Sequence, residues 1–153
     1  MVVAAAVLGV LYWNRGAHLE LEGSILKVRT LATDSLNSVV IIDFRFVNSA
    51  DYPFVVRKVD VSMEEASGTV VYSVPVADVD AGRLFQYYPV LGQKYNPSLM
   101  MHNRIAPRQA LDRMIAAAFA LPEEKVRGRK TVRVRIEDVD GAVSELVEKP
   151  DGK

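Results

Sequence analysis

The sequence predicts an all-β fold, an immunoglobulin-like antiparallel β-sandwich of about seven or eight strands. Three observations carry this. Valine occurs 24 times and isoleucine 6 times against 13 leucines, and β-branched side chains lose freedom in helices but pack well on pleated sheets. Several segments alternate apolar and polar residues with the period of a half-buried strand. Turn signals separate them at short intervals, with no strand–helix–strand alternation.

Residues 1–13 (MVVAAAVLGVLYW) carry no charge, and Tyr12 and Trp13 precede Arg15. Aromatics followed by a basic residue mark a helix leaving a bilayer. A helix of that length covers about 20 Å, short of the roughly 30 Å hydrocarbon core. We read residues 1–16 as part of a membrane anchor, with Val7, Leu8, Val10, Leu11, Tyr12 and Trp13 in the lipid. A signal-peptide core, and an element buried in the fold or in a partner, are the other two readings. The anchor reading predicts a membrane-held domain over 17–148 on the extracytoplasmic (periplasmic) side, with a polar tail over 149–153.

Residues 19–31 predict one or two strands, bent at Gly23. In 38–48, Ile42, Phe44 and Phe46 alternate with Asp43 and Arg45, one face apolar and one wet. In 54–64, Val59, Val61 and Met63 alternate with Lys58, Asp60 and Ser62. Residues 65–68 are a turn and 69–76 a short strand. Residues 81–103 break the rhythm with Pro89, Gly92 and Asn96-Pro97 among aromatics, which predicts a long structured excursion. Residues 110–121 (ALDRMIAAAFAL) fit a helix by propensity. The preceding Pro107, and Pro122-Glu123-Glu124 opening a helical turn that stops near Gly128, decide for a strand. In 130–137, Val132, Val134 and Ile136 alternate with Thr131, Arg133 and Arg135. Asp140-Gly141 predicts a two-residue hairpin with both residues at positive φ. Residues 142–148 run back, with Val143 and Leu146 inward.

The order of these elements resembles the late-embryogenesis-abundant, water-stress-hypersensitivity (WHy) type of immunoglobulin-like domain. The matching features are a strand ending in Asn before a Tyr-Pro turn (residues 44–63), an isoleucine-proline approach to a later strand (104–119) and a final strand with an Asp-Gly hairpin (132–143). The usual Asn-Pro is Asn48-Ser49 here, and the usual Pro-Gly is Pro107-Arg108. The resemblance implies a non-enzymatic, membrane-anchored domain outside the cytoplasm.

The composition excludes several chemistries. There are no cysteines, so no disulfide, thiolate metal site or Cys nucleophile exists. Lys plus Arg and Asp plus Glu are both 19; the absent net charge argues against an electrostatic nucleic-acid binder. Arg127–Arg135 reads as a solvated sheet face, with contact to anionic headgroups or an acidic partner as the alternative. His18 and His102 lie far apart in sequence and no G-x-S-x-G is present, so no hydrolase signature exists. D-V-D-G at 138–141 and D-V-D-A-G at 78–82 read as turns, because position twelve of a calcium loop begun at Asp138 is Lys149. We expect no cofactor and no metal.

Phe85, Tyr87, Tyr88 and Tyr95 fall within eleven residues, followed by Arg104 and Arg108. Tyrosine and arginine dominate recognition surfaces, so these six form the candidate partner-binding set. The other reading has Phe85 and Tyr88 plugging the end of the sandwich. The leading function is a membrane-tethered binding or structural module, an accessory subunit of a membrane complex. The rival is a periplasmic enzyme or small-ligand carrier using the sandwich mouth.

Overall fold

In a computed structural model, which describes residues 21–150, the chain folds into two antiparallel sheets packed face to face. The strands are β1 (Leu21–Ala32), β2 (Ser38–Asn48), β3 (Phe54–Glu64), β4 (Val70–Tyr72), β5 (Val74–Pro75), β6 (Arg104–Ile105), β7 (Ala110–Phe119), β8 (Thr131–Asp138) and β9 (Val143–Val147). One sheet has the order β1-β2-β7-β5; the other runs β4-β3-β8-β9, with β6 also on β3. Seven of these strands span three residues or more, the number expected; the two-residue β5 and β6 carry no periodic signal.

The core lies where the two apolar faces meet. Phe44 and Phe46 stack with centroids 5.9 Å apart, and Ile42, Met63, Ile115, Phe119, Val134 and Ile136 pack around them. β1 bends at a bulge between Ile25 and Lys27, and Gly23 has a different task. A Cβ there would meet the Arg45 carbonyl oxygen, so only glycine lets β1 lie on β2.

Asp43 is a correction. It is buried, not wet, because the outer face of β2 and β7 carries a third layer. This is the excursion, which opens with a helix, α1 (Asp78–Tyr87), and a single 3-10 turn at Pro89–Leu91. Asp78 and Asp80 sit at the positive end of α1. Ala81, Leu84 and Phe85 face down onto Val39, Ile41, Met114 and Ala116. D-V-D-A-G is therefore a helix start, not a turn. The second core also explains β7: covered on both faces, it needs no alternation.

Other local readings shift in detail. Pro122 caps α2 (Glu123–Arg127), which ends at Gly128 as expected. Only Gly141 takes positive φ in the last hairpin. The Gly141 N–H bonds to the Asp138 carbonyl at 2.9 Å and the Asp138 N–H to the Ala142 carbonyl at 2.8 Å. That is a four-residue turn closed by one left-handed residue, where a two-residue loop was expected. In β9, Ser144 and Leu146 face inward and Val143 does not. Ser144 is buried polar, and its hydroxyl accepts a 2.7 Å bond from the Leu21 N–H, closing the sandwich on the β1–β9 side.

Candidate functional site

Arg29 organises the excursion. Its guanidinium bonds Asp43 at 2.8 Å and the carbonyls of Leu91 and Gln93 at 2.7 Å each. It lies between two rings, 5.0 Å from the centroid of Phe85 and 5.2 Å from that of Tyr95. Asn96 donates to the other Asp43 oxygen at 2.9 Å. The side chains of Arg29 and Asp43 are only 9% and 5% exposed. A planar guanidinium suits this double duty of forked hydrogen bonding and stacking. Phe85 and Tyr95 are thus committed to holding the third layer. Tyr87 and Val90 are exposed above it.

A second feature lies between β3 and the β5–β7 edge, beside the start of α1. There, residues 98–101 arch from one sheet to the other. At one foot, the Leu99 N–H bonds the Met114 carbonyl at 2.9 Å and the Met114 N–H bonds the Pro97 carbonyl at 3.0 Å. At the other, the His102 N–H bonds the Val56 carbonyl at 2.7 Å. Under the arch lies a groove of about 470 Å³ lined by Val59, Pro75, Val76, Leu99 and Ile115. Met100 and Met101 stand on its rim, 48% and 61% exposed. The charged rim residues are already partnered. Lys58 pairs with Asp60 at 3.0 Å and Asp78 with Lys94 at 3.1 Å. The groove therefore presents apolar walls with no spare charge.

The predicted partner-binding set does not form one surface. Phe85, Tyr87, Tyr88 and Tyr95 belong to the third layer over β2, near Arg29, which pairs with Ile41. Arg104 sits on β6 beside Val55. Arg108, at φ 62, bonds Asp51 at 2.7 Å in the turn beyond Asn48. From Ile41 to Asn48 is seven residues of strand, about 23 Å. Asn48 is buried and ties that end together, donating to the Tyr52 carbonyl at 2.8 Å. Met100 and Met101, which rim the groove, were not singled out by sequence; the paired methionines at a Pro-Ser-Leu break were the available signal.

The membrane-anchor residues Val7 to Trp13, and His18, lie outside the described residues. Among the described residues, no helix is long and apolar enough to cross a membrane. Nor does any group of three or more His, Cys, Asp or Glu among them stand where it could hold a metal ion. His102 is exposed in the turn after the arch, at φ 67.

No family model and no curated protein matches the chain. Among solved structures, the chain is similar to an uncharacterized beta-sandwich protein from Clostridium difficile 630, known from a crystal structure at 1.90 Å resolution. The two share 12% identity over 85% of this chain and 86% of that one, with a TM-score of 0.41.

Proposed function

We propose that this chain is a non-enzymatic binding module of the immunoglobulin-like, WHy-resembling kind, tethered outside the cytoplasm by its N-terminal run as an accessory subunit of a membrane complex. The strand order supports the immunoglobulin-like part: β1-β2-β7-β5 against β4-β3-β8-β9 corresponds to an ABED sheet against a CFG sheet with one added edge strand. The tether rests on the uncharged apolar run and its closing Tyr12-Trp13 pair.

One observation carries the binding reading. The arch at residues 98–101, together with β3, β5 and β7, forms an apolar groove with two adaptable, exposed methionines on its rim. Methionine surfaces repack around varied partners, and paired rim charges select an uncharged apolar segment of the partner. The aromatic-basic set is demoted, because Phe85 and Tyr95 serve Arg29 and the arginines lie at the sandwich end.

A second reading uses the same groove. Its volume falls in the range of small-ligand sites, which favours a carrier for an apolar small molecule. A native pull-down from mild detergent tests both, comparing the wild-type chain with Met100→Glu/Met101→Glu and Tyr87→Ala/Arg104→Ala. The module reading expects the methionine variant to lose a stoichiometric protein partner while its melting temperature holds. Native mass spectrometry that finds a bound small molecule and no protein would support the carrier. A methionine variant that still captures everything the wild type captures removes the groove from either account.

A further inference from the structure

We propose that two copies of this chain pair edge to edge through β4, in antiparallel register about a twofold axis at Val71, joining their five-stranded sheets into one. The backbone phase on β4 fixes which groups are available. The Glu65 N–H bonds the Thr69 carbonyl at 2.9 Å and the Ser73 N–H bonds the Val61 carbonyl at 3.0 Å. With Val71 opposite Met63 between them, residues 69, 71 and 73 spend their backbone groups on β3. The N–H and C=O of Val70 and Tyr72 therefore point off the sheet, and among the described residues no strand lies on that side of β4.

The side chains mark the same edge. Val70 is 50% exposed and Tyr72 is 75% exposed. They sit opposite Glu64 and Ser62 on the outer face, while Val71 turns in to the core. From Thr69 to Ala77 the chain carries no charge, so the usual lysine guard of an edge strand is missing. The edge is also self-complementary. A twofold at Val71 sets Val70 of one copy against Tyr72 of the other, twice, and satisfies all four outward backbone groups in each copy. An axis at Tyr72 would instead need the backbone of Val74, which belongs to the β5 pairing with Ala118. Electrostatics permits the approach. The nearest outer-face charges are neutralised within each copy, Glu64 by Lys130 and Asp60 by Lys58, and the net charge is zero. A seam of three residues is small; on the tether proposed above, confinement of both copies to one membrane would raise their effective concentration.

The absence of cysteines makes a register test clean. Full-length Val70→Cys and Tyr72→Cys chains are purified separately in mild detergent, then oxidised alone and mixed. Paired residues of such a ladder lie about 5.5 Å apart at Cα, within disulfide reach. The mixture should yield a covalent dimer several-fold more abundant than Val70→Cys alone. Sedimentation of the full-length Tyr72→Lys chain should shift towards monomer with its circular dichroism unchanged. Equal cross-linking in the mixed and single samples, as association through the N-terminal run would give, overturns the proposal. So does a folded Tyr72→Lys chain with wild-type mass.

Discussion

Removing Arg29 should detach the third layer. The Arg29→Ala chain loses the ion pair to Asp43 and the bonds to the Leu91 and Gln93 carbonyls, and leaves Phe85 and Tyr95 without the cation between them. The Asp43 carboxylate stays buried with Asn96 as its remaining partner. Breaking one side of a buried pair costs about 3–5 kcal/mol, because the surviving charge is uncompensated. For a chain of this size each kcal/mol moves the midpoint by about 2–4 °C, so melting should fall by about 6–20 °C. Hydrogen exchange locates the damage: amides of α1 should lose protection while the β3–β8 ladder keeps most of its own. The paired variant Arg29→Met/Asp43→Leu should recover at least about half of the loss, since apolar replacement of a buried pair is often near neutral. A fall below about 1 kcal/mol, with α1 amides still protected, would refute the assignment of Arg29 as the clamp.

Four further outcomes follow from the same packing. Phe46→Ala should lose about 3–5 kcal/mol in urea unfolding, and a loss under about 1 kcal/mol would mean the ring is not in the core. Gly23→Ala should destabilise by about 1–3 kcal/mol by forcing β1 off β2; an unchanged midpoint would show that the strand can slide to make room. Asp112 is held below its ordinary value by Arg45, chiefly through their hydrogen bonds. Its contribution is present above 3.8 and is lost as pH falls through the lowered value; melting followed from pH 6 downward should therefore be flatter for Asp112→Asn than for wild type in that acid limb. Deleting residues 1–13 should leave far-UV circular dichroism unchanged, and an unfolded product would place the run in the core.

The strands whose two faces differ could be read from the sequence almost residue by residue: β3 has the expected bounds, and Val132, Val134 and Ile136 of β8 are buried between more exposed neighbours. β7 was readable only from its flanking prolines, because Met114 and Ala116 are as buried as Ile115 and Ala117. The outer layer was harder. In α1, Gly82 interrupts the helical pattern and D-V-D-A-G imitates a turn, while the Ala81, Leu84 and Phe85 spacing that buries it is short. Asp43 carried no local sign of burial, since its partner Arg29 and its cover Asn96 come from other elements. The groove was invisible for a similar reason: β3, the β5 crossing, the arch and β7 each supply one wall.

The pairing of β2 with β7 bears on how the chain reaches this structure. Ser38 meets Phe119 and Val47 meets Ala110, so the whole of β3, β4, β5 and the third layer must be spooled out between two strands that end side by side. The β1–β2 and β8–β9 hairpins can close within their own short segments. Each then carries a bare edge until the distant partner arrives. Chains dominated by such remote pairings fold in milliseconds to seconds rather than microseconds, and an unpaired β2 rich in valine, isoleucine and phenylalanine is the stretch exposed to mispairing during that interval. The slow step in refolding should be the arrival of β7, and substitutions that weaken β7 without touching the hairpins should lengthen it.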